Sequence, residues 1–106
     1  MKTEKETENP SNRQKLLQWK SDVRIKWNNK CAKCNADGQV TKLDCHHLIS
    51  AAFKRMRYDI NNGLLLCSAC HRFSRTSAHK GSMLFADWLM RTYPKIWHYI
   101  IREGKL

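Results

Sequence analysis

Cys31-Ala-Lys-Cys34 and Cys67-Ser-Ala-Cys70 enclose the step His46-His47, and His71 directly follows the second pair. Four thiols in two C-x-x-C pairs suit one closed tetrahedral zinc site. An ion bound there would join a knuckle before one strand to the link between a second strand and a helix. The fold this dictates is a short hairpin and a helix stapled by metal. A four-thiolate zinc keeps no open position. The three histidines are therefore left over for a second, chemical site. Cys45 falls outside the spacing and reads as a buried strand thiol.

Outward from this frame, Asn35-Ala-Asp-Gly38 is a turn, and residues 39–45 alternate as a short strand should. Residues 48–56 read as a connecting loop with a helical turn near 51–55. Asn61-Asn62-Gly63 marks another turn, Leu64-Leu65-Leu66 is a buried strand, and residues 68–78 are expected to be helical. Before the first cysteine, Ser11 and Gln14 have capping-box spacing. Leu16, Trp19, Val23 and Trp27 then recur at helical steps and predict a helix over residues 12–29. Its other face carries Lys15, Lys20, Arg24 and Lys26, which are either solvated or in contact with phosphates. Phe85, Trp88 and Leu89, then Ile96, Trp97, Ile100 and Ile101, predict two short amphipathic helices broken at Tyr93-Pro94. Their spacing makes these aromatics core rather than a base-stacking platform. Residues 1–10 read as a charged tail, and residues 11–106 as a single domain.

The net charge is +11 over 106 residues. Lys2 and Lys5 against Glu4, Glu6 and Glu8 leave residues 1–10 negative by one, so residues 11–106 carry +12. That balance points to a polyanionic partner, nucleic acid before membrane. No apolar run is long enough to span a bilayer, and the N-terminus lacks the apolar core of a secretory signal. The expectation is a soluble, cytoplasmic protein. A reducing compartment favours metal over disulfides for these cysteines.

His46 and His47 are adjacent, so on an extended chain their rings point to opposite faces. That suits two different roles, one ligating a metal and the other aimed at substrate, with His71 as a further ligand. The plainer alternative makes His71 a support of the zinc site and leaves His46 and His47 as surface residues.

Asp44-Cys45-His46-His47-Leu48-Ile49, followed by Asn62-Gly63-Leu64-Leu65-Leu66-Cys67-Ser68-Ala69-Cys70-His71, resembles the motif of HNH endonucleases. The resemblance spans about residues 31–75. His47-Leu-Ile-Ser, with Arg55, Arg57-Tyr58-Asp59 and Ser77-Ala78-His79, is more loosely similar to small phage-type members, NinG-like recombination proteins among them. The fold implied is α+β: a ββα-metal core braced by a four-cysteine zinc, here flanked by N-terminal and C-terminal helices. By position His47 matches the general base, and His46 and His71 match ligands of a catalytic divalent cation. Asn62 matches the asparagine that braces the loop and orients the base; a one-residue shift would give that place to Asn61. One helical turn past His71 the family often has another ligand, where this chain has Arg75. His79, two turns on, either substitutes for it or contacts phosphate. Lys54, Arg55, Arg57, Arg72, Arg75 and Lys80 flank the histidines and form the expected phosphate clamp, with Arg55 and Arg72 foremost.

The leading expectation is thus a metal-dependent endonuclease that nicks double-stranded or branched DNA with Mg²⁺, Mn²⁺ or another first-row metal. The alternatives are a non-catalytic zinc-stabilised nucleic-acid-binding protein and a zinc-stapled interaction protein such as a phage regulator. Whether the protein acts as monomer or homodimer is open from sequence.

Overall fold

Ser11 starts helix α1 (Asn12–Lys26) through a reciprocal cap: its hydroxyl accepts from the Gln14 amide at 3.1 Å, and the Gln14 side chain accepts from the Ser11 amide at 2.8 Å. The computed structural model describes residues 10–104. The tail expected over residues 1–10 therefore lies, apart from Pro10, outside the described residues. Helix α1 ends three residues before the expected boundary because Asn28 and Asn29 adopt φ of 54° and 53°. Asparagine tolerates that left-handed conformation.

Strand β1 (Leu43–His47) pairs antiparallel with β2 (Gly63–Cys67), Leu43 opposite Cys67 and His47 opposite Gly63. The first strand starts later than its alternation suggested. The Asp37 carbonyl accepts from the Val40 and Thr41 amides at 3.0 Å, and its carboxylate accepts from the Gln39 amide at 2.9 Å. Residues 37–41 are thereby held in a turn. The strand instead runs on through both histidines. Its pleat sends Cys45 and His47 toward α1, where the Cys45 thiol donates to the Lys20 carbonyl at 3.5 Å. Asp44 and His46 point to the opposite face.

The sheet's buried strand explains its position. Leu64, Leu65 and Leu66 are wholly excluded from water, with Trp19 and Val23 of α1 above them. Gly63 permits that approach: a Cβ there would lie 2.5 Å from Val23 Cγ2 and 2.8 Å from Trp19 Cζ2. On the outer side of β2 the Ala32 amide donates to the Leu65 carbonyl at 2.7 Å, which adds the first cysteine knuckle to the sheet.

The helix expected over residues 68–78 is reduced to one wide turn, Ala69–Phe73, closed by an i→i+5 bond from the Ser74 amide to the Ala69 carbonyl at 2.9 Å. Ser74 is extended at φ −74°, ψ 161°. The chain then doubles back, and the Ala78 and His79 amides donate to the Cys70 and His71 carbonyls at 2.9 Å. The buried Ser77 hydroxyl accepts from the Lys80 amide at 3.0 Å and fixes this return.

Helices α2 (Ser82–Thr92) and α3 (Pro94–Gly104) break at Tyr93 as expected and bury Phe85, Leu89 and Ile100. Tyr93 donates its hydroxyl to the Ala32 carbonyl at 2.9 Å, and Tyr99 of α3 donates to the Asp59 carboxylate. Among the described residues no helix is long and apolar enough to cross a membrane.

Candidate active site

Two groups of side chains able to ligate metal share the turn after β2, one through Cys70 and the other through the adjacent His71. In the first, the sulfurs of Cys31, Cys34, Cys67 and Cys70 all lie within 4.8 Å of one another, and those of Cys34 and Cys67 are 3.6 Å apart. Thiolates at about 2.3 Å from a tetrahedral zinc would be separated by about 3.8 Å, so the donor set fits that ion. Burial opposes ionisation of Cys31. Amides of Cys34, Cys67 and Lys33 directed at its sulfur outweigh this and bring the thiol down to about 7. Burial raises Cys70 instead, with the neighbouring sulfurs adding to the effect. Sulfurs this close together could all ionise only with a cation among them. Cys45 stays outside the group, half-buried against α1.

In the second group, ring nitrogens of His46, His71 and His79 lie within 4.8 Å of one another. Nε2 of His71 and Nε2 of His79 are 3.0 Å apart, close to the separation of about 3.3 Å for two imidazoles on a tetrahedral cation. Asp44 accepts from Nδ1 of the buried His71 at 3.3 Å. The proton is therefore on Nδ1, and the Nε2 lone pair is aimed at the cluster. Burial first, then the charges of His71, His79, His47 and Arg72, take His46 down to about 3. His71 is also lowered, chiefly by burial, with Asp44 partly offsetting it. Near neutral pH both rings are uncharged, the form that ligates metal.

His47 stands across the strand from this cluster. Its Nε2 lies 2.9 Å from the Arg57 carbonyl oxygen, which can only accept. Nε2 thus carries the proton and Nδ1 carries a lone pair. Trp19 stacks flat on the ring, centroids 4.0 Å apart and planes 6° from parallel. Burial lowers the pKa of His47; the Arg57 carbonyl opposes this, while the charges of Lys20 and Arg57 add to it.

The carbonyl that fixes His47 belongs to a loop organised by Asn62. This wholly buried amide accepts from the Ile49 amide at 2.6 Å and donates to the Ile49 and Met56 carbonyls at 3.0 Å. Asn61 points outward to Lys26 Nζ at 3.2 Å, so the bracing asparagine is Asn62.

The basic residues do not all gather at the histidines. Arg55 pairs with Glu103 at 3.5 Å, and the Arg57 side chain donates to the Ala51 carbonyl at 2.6 Å within the loop. Arg72 is exposed and close enough to depress His46 and His71; Arg75, Lys54 and Lys80 are exposed. His79 joins the imidazole cluster through the doubled-back chain, not through a continuing helix. Sequence reasoning assigned no role to Asp44 or to the ring of Trp19. Asp44 was legible, since a residue two before His46 on a strand shares its face.

Residues 31–74 match the family model described as HNH endonuclease. No curated protein and no solved structure matches the chain significantly.

Proposed function

Taking residues 31–74 as an HNH endonuclease domain, we propose that the chain hydrolyses DNA phosphodiester bonds with a divalent cation. The observation that carries this reading is the convergence of His46, His71 and His79 on one face of β1, with His47 held on the other. A cation bound by those three imidazoles would supply Lewis acidity toward the phosphate. Uncharged nitrogen donors without a carboxylate suit a first-row metal better than Mg²⁺. The four cysteines hold a separate structural zinc.

His47 acts as the general base. Its Nε2–H is engaged by Arg57, so Nδ1 accepts a proton from water as the water oxygen attacks phosphorus. The P–O3′ bond breaks, giving a 5′-phosphate and a 3′-oxygen that takes up a proton. Asn62 keeps the Met56–Arg57 carbonyls in place and so sets the tautomer and angle of the base. Asp44 keeps His71 Nε2 facing the cation. Arg72, with Arg75 and Lys80, attracts phosphates beside the cluster, and Arg55 and Arg57 belong to the loop that supports the base. With one such centre per chain, each encounter cuts one strand.

The test is end-group analysis of a labelled DNA duplex incubated with zinc-loaded protein and Mn²⁺ or Mg²⁺. Cation-dependent 5′-phosphate and 3′-hydroxyl termini are expected. Termini of the opposite polarity, or no cleavage with any first-row cation, would reject the assignment.

A further inference from the structure

Helix α1 lies outside the matched residues 31–74, yet it forms one wall of the site, with Trp19 on His47 and the Lys20 carbonyl against Cys45. Three of its basic residues share a line. At 3.6 residues per turn, Arg13, Lys20 and Arg24 fall within about 40° of one another and span about 16 Å of helix. The buried stripe of Trp19 and Val23 lies about a quarter turn away, toward the sheet. Asp22 is the sole acidic residue of α1; it lies on the side opposite this line and accepts from Gln18 at 2.9 Å. Among the described residues, Arg13, Lys20 and Arg24 enter no ion pair. Arg13 and Arg24 are exposed and Lys20 half-exposed.

This line passes β1 at Lys20, whose carbonyl accepts from the Cys45 thiol. Among the described residues β1 pairs only with β2, so its other edge carries no further strand. The two catalytic faces meet at that edge: His47 toward α1, His46 toward the imidazole cluster. Arg72 and Lys80 stand exposed on the cluster side. Positive charge therefore flanks the edge from both faces, supplied on the side of the base by Lys20 of α1 together with Arg57 of the loop.

We propose that α1 is a second arm of the DNA surface, in which Arg13, Lys20 and Arg24 take backbone phosphates of a duplex lying along the unpaired edge of β1. The proposal rests on the placement of the reactive centre at β1 given above. Contacts of this kind position the substrate without reading base sequence. They also make α1 a register device: Lys20, nearest His47, engages the phosphates next to the one attacked, and Arg24 and Arg13 engage those to either side.

The experiment is fluorescence anisotropy of a labelled duplex with the full, zinc-loaded chain and no added second cation, across a salt series. Three proteins are compared with wild type: R13Q/K20Q/R24Q, the charge-matched control K15Q/R91Q/K95Q, and the charge-conserving R13K/K20R/R24K. Zinc content and far-UV circular dichroism are checked for each. Three lost phosphate contacts should weaken binding about tenfold or more near physiological salt and lower the salt slope by about two to three. The control should lose much less with its slope intact, and the conserving variant should bind as wild type does. Equal losses in R13Q/K20Q/R24Q and the control, or no duplex binding by wild type, would overturn the proposal. Duplex binding through α1 without cleavage would reject the hydrolytic reading and leave this one standing. Cleavage indifferent to the three substitutions would remove this one alone.

Discussion

The indole of Trp19 lies flat on the imidazole of His47, centroids 4.0 Å apart and planes 6° from parallel, and its Nε1–H donates to the Asp59 carbonyl at 2.9 Å. A residue of the N-terminal helix thereby fixes a ring on the hairpin, and the loop that bonds the other side of that ring is tied to the same indole. Trp19→Phe keeps an apolar face but loses the bond. We expect a stability loss of about 1–2 kcal/mol and a lower nicking rate with little change in DNA affinity. Trp19→Leu should lose more of both stability and rate. Chemical denaturation and single-turnover cleavage measure the two effects separately.

Asn62 satisfies three backbone groups around Ile49 and Met56. Asn62→Ala leaves them without that partner in a buried loop, at about 1–3 kcal/mol for each one that water cannot reach. Asn61→Ala, which removes an exposed contact to Lys26, should cost far less. A thermal-shift comparison of the two variants reads the difference directly.

Gly63 marks where helix meets sheet. A methyl at this position would press on Val23 and Trp19. Gly63→Ala should destabilise by about 1–3 kcal/mol and, by moving Trp19, reduce cleavage beyond what the stability loss explains. Retention of wild-type stability in denaturant titration would contradict the packing described for α1.

Much of this was legible in the chain. The C-x-x-C spacing located the four-cysteine group, Ser11 and Gln14 located the start of α1, and Tyr93-Pro94 located the break between the last helices. The late start of β1 and the shortened helix after His71 share one cause: side-chain and turn hydrogen bonds that periodicity does not register. Asp37 delays β1. Ser74 and Ser77 end the helix after His71 and return the chain, so His79 reaches the cluster from a loop and not from two helical turns away. The stack on His47 links residues 28 positions apart, and no local pattern encodes such a pairing.

The pH dependence of cleavage follows from His47. Burial holds its pKa below the ordinary 6.5, and Lys20 adds to the depression. A base in the role proposed for His47 works as neutral imidazole, so activity should persist as pH falls to 6.5 and drop only at more acidic values. Lys20→Gln removes a positive charge that disfavours protonation, which raises the pKa and should move the acid limb toward 6.5. The kcat/KM profile of wild type against Lys20→Gln checks the sign.

Zinc removal should separate frame from chemistry. Chelation by a zinc-selective reagent should unfold the hairpin, because the four sulfurs join the knuckle at Cys31–Cys34 to the end of β2. His71→Ala removes an imidazole of the other group and should leave the far-UV circular dichroism and one tightly held zinc per chain in place. Loss of that zinc in His71→Ala would mean the two groups are not independent.

The most direct measurement is conversion of supercoiled plasmid to open circle by the zinc-loaded chain, with and without added Mn²⁺ or Mg²⁺, for wild type beside His47→Ala. Nicking is expected only with added cation, and its loss is expected in His47→Ala while plasmid binding persists. Nicking undiminished in His47→Ala, or none by wild type on supercoiled, single-stranded or branched DNA with any cation, would contradict this mechanism.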